Sequence, residues 1–316
     1  MDARRRPRLP PRGGVAVRQY LAILRKAMDT GADRDDRTGT GTRAIFGEVM
    51  RFRMSDGFPA VTTKRLAFRS VLSEMLWFLA GSSDVNELHA LGVRIWDGNA
   101  YAPYWLPKAR FEGDAGRNYG QQWRDWIAPN GDHRDQLGHV IAELTRHPSS
   151  RRHVVIAWNP GELEQTSLPA CHALFQLFVA PGDAPGDPSR LSLMMYQRSC
   201  DLFLGVPFNM AEYALLLHLV AQFTGYMAHE FVHVLADAHV YRDHFDAVRE
   251  QLTREPYPSP RLALDPSLRG LDDVVARYHD VVARAKAGEK PGPLLDAIAH
   301  LEQYQFHPPI EAKMAV

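Results

Sequence analysis

The sequence predicts an α+β fold in which several strands pack against two buried helices. Segments rich in β-branched and aromatic residues, as strands are, alternate with apolar segments of helical spacing. Neither an internal repeat nor a break in composition divides the chain, so residues 15–316 are expected to form one domain. A chain of 316 residues can also bury a substantial core.

The individual elements follow from local patterns. Apolar residues at helical spacing predict helices at residues 17–28, 71–80, 136–144 and 208–224, of which the second and fourth are apolar on most faces. β-branched and aromatic residues predict a pair of strands within 44–52, strands at 153–158, 172–179 and 191–198, and a final strand at 231–240. Residues 181–188, rich in proline and glycine, predict a hairpin loop, and residues 97–114 predict a long irregular insert.

Composition and charge exclude several classes of protein. Hydrophobic residues make up 45% of the chain and charged residues 23%, which excludes a wholly disordered or collagen-like protein. Because 37 basic residues balance 37 acidic ones, no overall field favours nucleic acid or an anionic membrane, and any anion site must be built from local arginines. Residues 1–14, which include five arginines, are expected to form a disordered basic tail.

Cysteine usage and hydropathy indicate a cytoplasmic protein. Cys171 and Cys200 are too few for a disulfide framework and lack the paired spacing of a zinc site. The histidines at 229, 233, 239 and 244 do not form the HExxH pair of a metalloenzyme, so no metal is expected. No apolar run reaches the roughly 18 residues that a membrane span requires, and no signal-peptide hydrophobic region follows the basic start.

Cys171 is the candidate nucleophile, although a lone cysteine is more often a small buried hydrophobic residue. A reactive thiolate needs a cationic neighbour that lowers its pKa, and Arg198 could supply the charge. Cys200 is assigned to structure. His172 could in principle serve a cysteine hydrolase as its base, but adjacent strand residues face opposite ways and place it poorly.

A convergence of arginines would make a phosphate site. Arg151 and Arg152 precede a predicted strand, where neighbouring side chains point to opposite sides, so a partner chain could receive one of them. The alternative is two solvated surface arginines. If they meet Arg37 and Arg198, the natural target is a phosphate dianion, because guanidinium groups match its oxygens bidentately.

Other polar residues have two interpretations each. Asn209, before a predicted buried helix, is either an N-cap or an amide that reads a pyrimidine edge. His239 and Tyr241 alternate along a strand end, where they could hold sugar hydroxyls or lie in the core. Glu74 within an apolar helix is either a member of an ion pair or a tuned proton-transfer group.

Nine separate segments together resemble the folate-dependent thymidylate synthase family, from about residue 19 to residue 316. The segments are DRTGTGT (36–42), FPAVTTKR (58–65), EMLWFLAG (74–81), IWDGNA (95–100), SRR (150–152), LPACHALFQ (168–176), YQRSCDLFLGVPFN (196–209), DAHVY (237–241) and HPPIEAKMAV (307–316). The resemblance implies a mixed sheet packed against buried helices, and a homodimer whose interface is formed by that sheet.

The resemblance also implies roles for individual residues. The implied catalytic residues are Cys171, Glu74, Tyr119, Arg198 and Asn209. The implied nucleotide-binding residues are Arg37, Arg198, Ser199, Cys200, Asp201, Asn209, His239 and Tyr241, with Arg151 and Arg152 reaching across the two-fold axis. The implied folate contacts are Trp96, Asn99, Asp201, Leu204, Gly205, Phe208 and Ala315, and the Val316 carboxylate would close the site as a lid.

The reaction that the resemblance implies is reductive methylation of dUMP to dTMP, with 5,10-methylenetetrahydrofolate as co-substrate. Addition of the Cys171 thiolate at carbon 6 makes carbon 5 of the pyrimidine nucleophilic, and proton transfers would fall to Tyr119 and Glu74. The alternative is a hydroxymethylase that acts on dUMP, dCMP or CMP and in which water quenches the same adduct. A non-catalytic nucleotide- or RNA-binding relative is a third class, which the neutral net charge disfavours.

Four positions depart from the usual pattern of the family. Ala170 stands where a proline is usual before the cysteine, Glu212 where a serine is usual, and Ala236 where a glycine is usual. Asn118 precedes Tyr119 as it does in the phage deoxycytidylate hydroxymethylases, which is the main argument for that alternative. Against it, Asn209 is retained where those relatives carry an aspartate.

Overall fold

The computed structural model of the protein describes residues 14–36 and 39–313. The α-helices are α1 Val15–Thr30, α2 Phe68–Leu79, α3 Val85–Ala90, α4 Asp97–Ala100, α5 Tyr119–Arg124, α6 Gln136–Arg146, α7 Gly205–Thr224, α8 Phe245–Leu252, α9 Leu271–Lys286 and α10 Pro291–Asp296. The strands are β1 Ala32–Arg34, β2 Thr42–Arg53, β3 Trp126–Ile127, β4 His133–Arg134, β5 Val154–Ile156, β6 His172–Ala180, β7 Arg190–Asp201, β8 Met227–Tyr241, β9 Arg261–Leu264 and β10 Ala299–Glu302. The basic tail predicted at residues 1–14 lies outside the described residues except for Gly14.

A six-stranded mixed sheet organises the fold, with strand order β1-β2-β8-β7-β6-β5. β7 and β8 run parallel, and the other neighbouring pairs run antiparallel. The apolar helix α7 packs against β7 and β8, and α2 packs on α7. These contacts confirm the predicted α+β class with a mixed sheet against buried helices.

The parallel pairing of β7 and β8 brings their carboxyl ends together. Parallel neighbours need a crossover connection. The helix α7, with 20 residues, spans about 30 Å and returns the chain to the end of the sheet at which β7 begins, so that β8 can start there. As a result Ser199 pairs with Asp237, and Asp201 pairs with His239. Polar residues that are far apart in sequence therefore meet at the carboxyl ends of these two central strands.

Most predicted elements are present, but several predictions need correction. Residues 44–52 belong to the single strand β2, because the chain continues through Gly47, at φ 83°, rather than turning back. The segment 231–240 is not the last strand, since β9 and β10 follow it. The helix α9 was not predicted, although its buried residues Leu271, Val274, Tyr278 and Val281 have helical spacing.

The insert at 97–114 is also more ordered than predicted, because it contains α4 and a 3₁₀ turn and ends at a buried carboxylate. Asp114 accepts hydrogen bonds from the Arg110 side chain at 2.8 Å, from the Ser83 hydroxyl at 2.8 Å and from the Gly116 backbone at 2.9 Å. Burial alone would raise the pKa of Asp114, but these donors outweigh it and lower the pKa to about 2.

Replacing Asp114 with asparagine is expected to lower the free energy of unfolding by about 2 kcal/mol at pH 7. The folded-state pKa is below the unfolded value, so the stabilisation is present above about pH 4 and is lost as pH falls towards 2. Urea unfolding of both proteins between pH 7 and pH 3 measures the difference. A difference that does not shrink at low pH would contradict this account. Asp132→Asn removes an exposed partner of Arg134 and should change stability by less than about 0.5 kcal/mol.

Candidate active site

The candidate site lies where β6 begins and where β7 and β8 end. Cys171 immediately precedes β6, and its backbone carbonyl accepts from the Arg198 backbone N–H at 2.9 Å. The turn after β7 is closed by Asp201, whose Oδ1 accepts from the backbone N–H groups of Phe203 and Leu204 at 3.0 and 3.1 Å. This turn leads directly into α7, which carries Asn209.

The Cys171 thiol is partly exposed and has polar neighbours. The Tyr119 hydroxyl accepts from the Cys171 backbone N–H at 2.8 Å, and the thiol hydrogen-bonds with Tyr119 and Ser199. Burial raises the pKa of the thiol, and the positive charge of Arg198 and these hydrogen bonds oppose the rise without reversing it. Arg198 therefore lowers the pKa of the thiol, as the sequence predicts, but burial is the larger effect and the net change is upward.

Arg198 is held in place by the loop that carries the cysteine. Its Nε donates to the Ala170 carbonyl and its Nη2 to the Pro169 carbonyl, both at 2.8 Å, and its guanidinium lies 4.7 Å from the centre of the Trp158 ring. An arginine has five N–H donors, so three remain for a ligand. The same side chain thus fixes the Cys171 loop and presents a cation beside it.

A chain of buried amides orients Asn209. Gln197 Nε2 donates both to the Ser199 carbonyl at 3.0 Å and to Asn209 Oδ1 at 2.9 Å, while Gln197 Oε1 accepts from His233 at 2.7 Å. Because a backbone carbonyl can only accept, it fixes which way the Gln197 amide points and hence which way the Asn209 amide points. α7 begins at Gly205, so Asn209 lies inside the helix and the N-cap interpretation is wrong.

Two carboxyl groups, those of Glu212 and Glu74, extend this hydrogen-bond network beyond Asn209. Asn209 Nδ2 donates to Glu212 Oε2 at 3.2 Å, and Glu212 hydrogen-bonds with Glu74 of α2. The Trp96 indole N–H donates to Glu74 Oε1 at 2.7 Å. Burial is the main cause that raises the pKa of Glu74. Glu74 thus contacts another carboxyl group and an indole, which is not the ion pair that the sequence allowed.

His172 is buried against Tyr119 and Tyr213, with ring centroids at 4.9 and 5.2 Å. Burial lowers its pKa to about 4, although a hydrogen bond with Asn209 partly opposes the change. A histidine that remains neutral in this way is a weak base at neutral pH. Its setting agrees with its exclusion as the base of a hydrolase.

The end of β8 presents His239 and Tyr241 on one face, with ring centroids 5.3 Å apart. His239 Nδ1 is 3.1 Å from Asp237 Oδ1, and Asp237 also accepts from Arg34 at 2.5 Å. Cys200 is fully buried and its thiol contacts the Gln197 carbonyl, so only its backbone can face a ligand. This geometry agrees with the structural assignment of Cys200.

Several implied folate contacts also lie near the start of α7. Leu204 and Phe208 are four residues apart, so they share a helix face, and both are partly exposed, as is Gly205 between them. Trp96 and Asn99, in contrast, are buried, at 4% and 8% exposed. An apolar, partly open surface of this kind fits a flat heterocycle.

The structure leaves some expected residues apart or undescribed. Arg151 and Arg152 are exposed, and the Arg151 carbonyl accepts from the Gln176 side chain at 3.2 Å. Gln176 is five residues beyond Cys171 in β6, about 16 Å at the rise of a strand, so the pair lies away from the cysteine of its own chain. Arg37, Ala315 and Val316 lie outside the described residues.

Comparison with protein families decides the classification: a model described as thymidylate synthase matches residues 18–316. The chain belongs to the thymidylate synthase family. This family is folate-dependent, binds a nucleotide and is typically dimeric, so membership assigns the chain to an enzyme superfamily of nucleotide biosynthesis.

The structure gives one departure from the family pattern a local explanation. Asn118 is buried and caps α5, because its Oδ1 accepts from the backbone N–H groups of Gly120 at 2.9 Å and Gln121 at 3.4 Å. Tyr119 is the first residue of that helix. Asn118 therefore fixes the start of the helix that carries Tyr119.

Sequence reasoning missed two polar residues at the site. Gln197 follows Leu191, Leu193 and Met195 at the buried positions of β7, so a polar residue at an apolar position of the alternation was an available signal. Glu212 was noted only as a departure from the family, and no local pattern connects it to Glu74.

Residues 14–36 and 39–313 contain neither a cluster of metal ligands nor a helix suited to cross a membrane. This part of the chain contains no group of three or more His, Cys, Asp or Glu side chains placed to hold a metal ion. In the same residues, no helix combines the length and the apolar character that a membrane crossing requires.

Proposed function

We propose that the protein catalyses the reductive methylation of dUMP to dTMP with 5,10-methylenetetrahydrofolate. The observation that carries the proposal is the fixed Asn209 amide beside Cys171 and Arg198. One Nδ2 hydrogen is donated to Glu212, and the other can be accepted by the 4-carbonyl of uracil but not by the 4-amino group of cytosine. A flipped amide would place its NH₂ against the NH₂ of Gln197, donor against donor.

Each group near the cysteine has a role in this reaction. The three free donors of Arg198 would bind the nucleotide phosphate with Ser199 and Arg37, and His239 and Tyr241 would hold the sugar hydroxyl. Phosphate and sugar contacts would place carbon 6 of the pyrimidine beside the Cys171 thiolate, whose addition makes carbon 5 nucleophilic. Tyr119 and Glu74 would move the carbon 5 proton, and Asp201 would contact the folate.

Folate would lie on the apolar surface made by Leu204, Gly205 and Phe208, and would also contact Trp96 and Asn99. When bound, it supplies the one-carbon unit and then the hydride. The described chain ends beside the site, because the Lys313 carbonyl accepts from His244 at 2.7 Å and the His244 ring is 5.8 Å from that of Tyr241. This position suits a terminal segment, with Ala315 and Val316, that covers the bound ligands.

We also propose that residues 15–316 act as one catalytic domain within a homodimer. The outer face of the sheet carries a row of apolar residues across four strands, where Leu174, Tyr196, Val234 and Val49 are aligned by the strand registers. Phe178 on β6 is 64% exposed. Exposed apolar patches of this kind mark interfaces. Arg151, beside Gln176 near this face, would then enter the partner's phosphate site with Arg152.

The dimer predicts that Phe178→Glu together with Tyr196→Glu weakens self-association by at least about 100-fold. Burying two carboxylates in an apolar interface without partners is costly. Sedimentation velocity should detect monomers, and nucleotide affinity should fall because the partner's arginines are lost. A matched control is Phe111→Glu, which changes a 44% exposed aromatic residue of the insert and should leave the dimer intact. Unchanged sedimentation of the double variant would rule out this interface.

The product assay tests the proposed function directly. Purified protein is incubated with methylenetetrahydrofolate and, separately, dUMP, dCMP, UMP and CMP, and the nucleotide and folate products are identified by mass spectrometry. Methylated dUMP together with dihydrofolate is expected. A hydroxymethylated nucleotide with tetrahydrofolate would replace the proposal with a hydroxymethylase, and no product with any nucleotide would favour a binding protein. We propose that the reaction takes place in the cytoplasm, where free thiols such as Cys171 and Cys200 stay reduced.

A further inference from the structure

The side chain of Glu212 is almost completely buried, at 1% exposed, yet it is not fully hydrogen-bonded. Its Oε2 accepts from Asn209 Nδ2 at 3.2 Å. No donor reaches its Oε1 among the described residues, although that oxygen is shielded from solvent. A buried carboxylate oxygen without a donor is unfavourable, so the missing hydrogen must come from elsewhere.

The missing hydrogen can be supplied between Glu212 and Glu74. The two side chains are within hydrogen-bonding distance of each other, one from α7 and one from α2. Two ionised carboxylates in contact would repel each other and would leave Oε1 unpaired. A single proton on one of them turns the repulsion into a charge-assisted hydrogen bond.

The surroundings decide which carboxyl holds the proton. Glu74 accepts a 2.7 Å hydrogen bond from the Trp96 indole, which stabilises its ionised form. Among the described residues, Glu212 accepts only the longer bond from Asn209. Burial, together with the nearby charge of Glu74, raises the pKa of Glu212 well above the usual range. The proton therefore belongs on Glu212 and the negative charge on Glu74.

We infer that Glu212 is a neutral acid that donates its proton to the Glu74 carboxylate and accepts from the Asn209 amide. In this arrangement Glu212 is a positioning residue: it holds the amide in one orientation and keeps Glu74 ionised and fixed in place. The shared proton rests on the unpaired Glu212 Oε1 and on the contact between Glu212 and Glu74, and it does not depend on the proposed function. Its consequence for catalysis rests on the proposed function, in which Asn209 binds uracil and Glu74 transfers a proton.

The other titratable groups around the pair are neutral near pH 7. Burial lowers the pKa of His172 of β6 to about 4 and that of His233 of β8 to about 3. It also raises the pKa of Tyr119 of α5 and of Tyr213, the neighbour of Glu212 on α7. The charge of the pair thus changes as it gains or loses a proton, without compensation from these four groups.

Infrared difference spectroscopy tests the shared proton without relying on activity. The C=O stretch of a protonated carboxyl group should be present in the wild type at pH 7, should disappear in Glu212→Gln, and should fade as pH rises. The matched control is Glu162→Gln, which removes a carboxylate that accepts from Arg117 at 2.8 Å and Gln122 at 2.7 Å and should leave the band unchanged. Absence of the band in the wild type at pH 7 would overturn the inference. The wild-type pH titration gives this answer even if a variant does not fold.

The pH dependence of kcat/KM for dUMP tests the positioning role. The amide introduced by Glu212→Gln could still donate to Glu74 and accept from Asn209, so this variant should keep kcat/KM within about 10-fold at pH 7. It has no proton to lose in this pH range, so it should not show the decline in kcat/KM at high pH that deprotonation of the Glu74–Glu212 pair causes in the wild type. Glu212→Leu keeps neither hydrogen bond and should lose at least about 100-fold. Equal losses in the two variants, or an unchanged alkaline limb in Glu212→Gln, would contradict the role. If neither the wild type nor any variant turns over dUMP but the wild type shows the infrared band, the proposed function is wrong and the shared proton is still supported.

Discussion

Cys171→Ala is expected to reduce the turnover of dUMP by on the order of 10⁶-fold, the scale on which an enzyme loses its nucleophile. Carbon 5 of the pyrimidine gains its nucleophilic character only through addition at carbon 6, and no neighbour can replace the thiolate. His172 is buried and neutral, and the hydroxyl of Tyr119 has a strongly raised pKa. The loss should appear in kcat, because the chemical step itself requires the thiolate.

Nucleotide binding should survive the same change. Arg198 is held by the backbone carbonyls of Pro169 and Ala170, which the substitution leaves in place. Calorimetric titration with dUMP should therefore give an affinity within about 10-fold of the wild type, since a phosphate contact does not depend on the thiol. Mass spectrometry of the protein should show a covalent adduct in the wild type and in Cys200→Ala, but not in Cys171→Ala. Turnover by the Cys171→Ala variant would show that the nucleophile is misassigned.

Asn209→Asp is expected to shift the preference between nucleotides, expressed as kcat/KM, by on the order of 10³-fold from dUMP towards dCMP. An ionised carboxylate cannot donate to the 4-carbonyl of uracil, but it can accept from the 4-amino group of cytosine. Gln197 is anchored by the Ser199 carbonyl and can still donate to an oxygen at position 209. On the Gln197 side the network is thus compatible with an aspartate, whereas Glu212 Oε2 loses the donor that Asn209 Nδ2 supplies.

Steady-state kinetics with both nucleotides measure the shift. Asn209→Ala is the matched control, because it removes the amide without adding an acceptor and should weaken both reactions without reversing the preference. The same ratio of kcat/KM values in Asn209→Asp as in the wild type would show that Asn209 does not select the base. Loss of both activities in Asn209→Asp, with retained folding, would place the selecting group elsewhere.

The parts of the fold that local sequence predicts are those whose stability depends on local preferences. The apolar faces of α1 and α6 follow the helical period, and α2 and α7 are apolar on most faces. The β-branched and aromatic content of β6, β7 and β8 follows the preference of strands. The hairpin loop at 181–188 follows from its prolines and glycines, which the structure confirms by the antiparallel pairing of β6 and β7. Boundaries moved by a few residues because helix and strand ends depend on tertiary contacts.

The site required more than local pattern. Its residue types were visible in the sequence, and the order of nine segments indicated the family that the comparison then showed. The net effect on the Cys171 thiol was not visible, because burial depends on what packs over the cysteine. The position of Asn209 inside α7 depended on where the turn after Asp201 ends.

The sequence by itself determined the fold class, the family and the chemical groups available for catalysis. Only the tertiary structure decided how those groups act on one another: the register that aligns the apolar row of the sheet, the anchoring of Gln197 by a backbone carbonyl, and the contact between Glu74 and Glu212. The physical reason is that secondary structure depends largely on neighbours within a few residues. The charge state and orientation of a buried polar group depend instead on partners that are distant in sequence and are brought close only by folding.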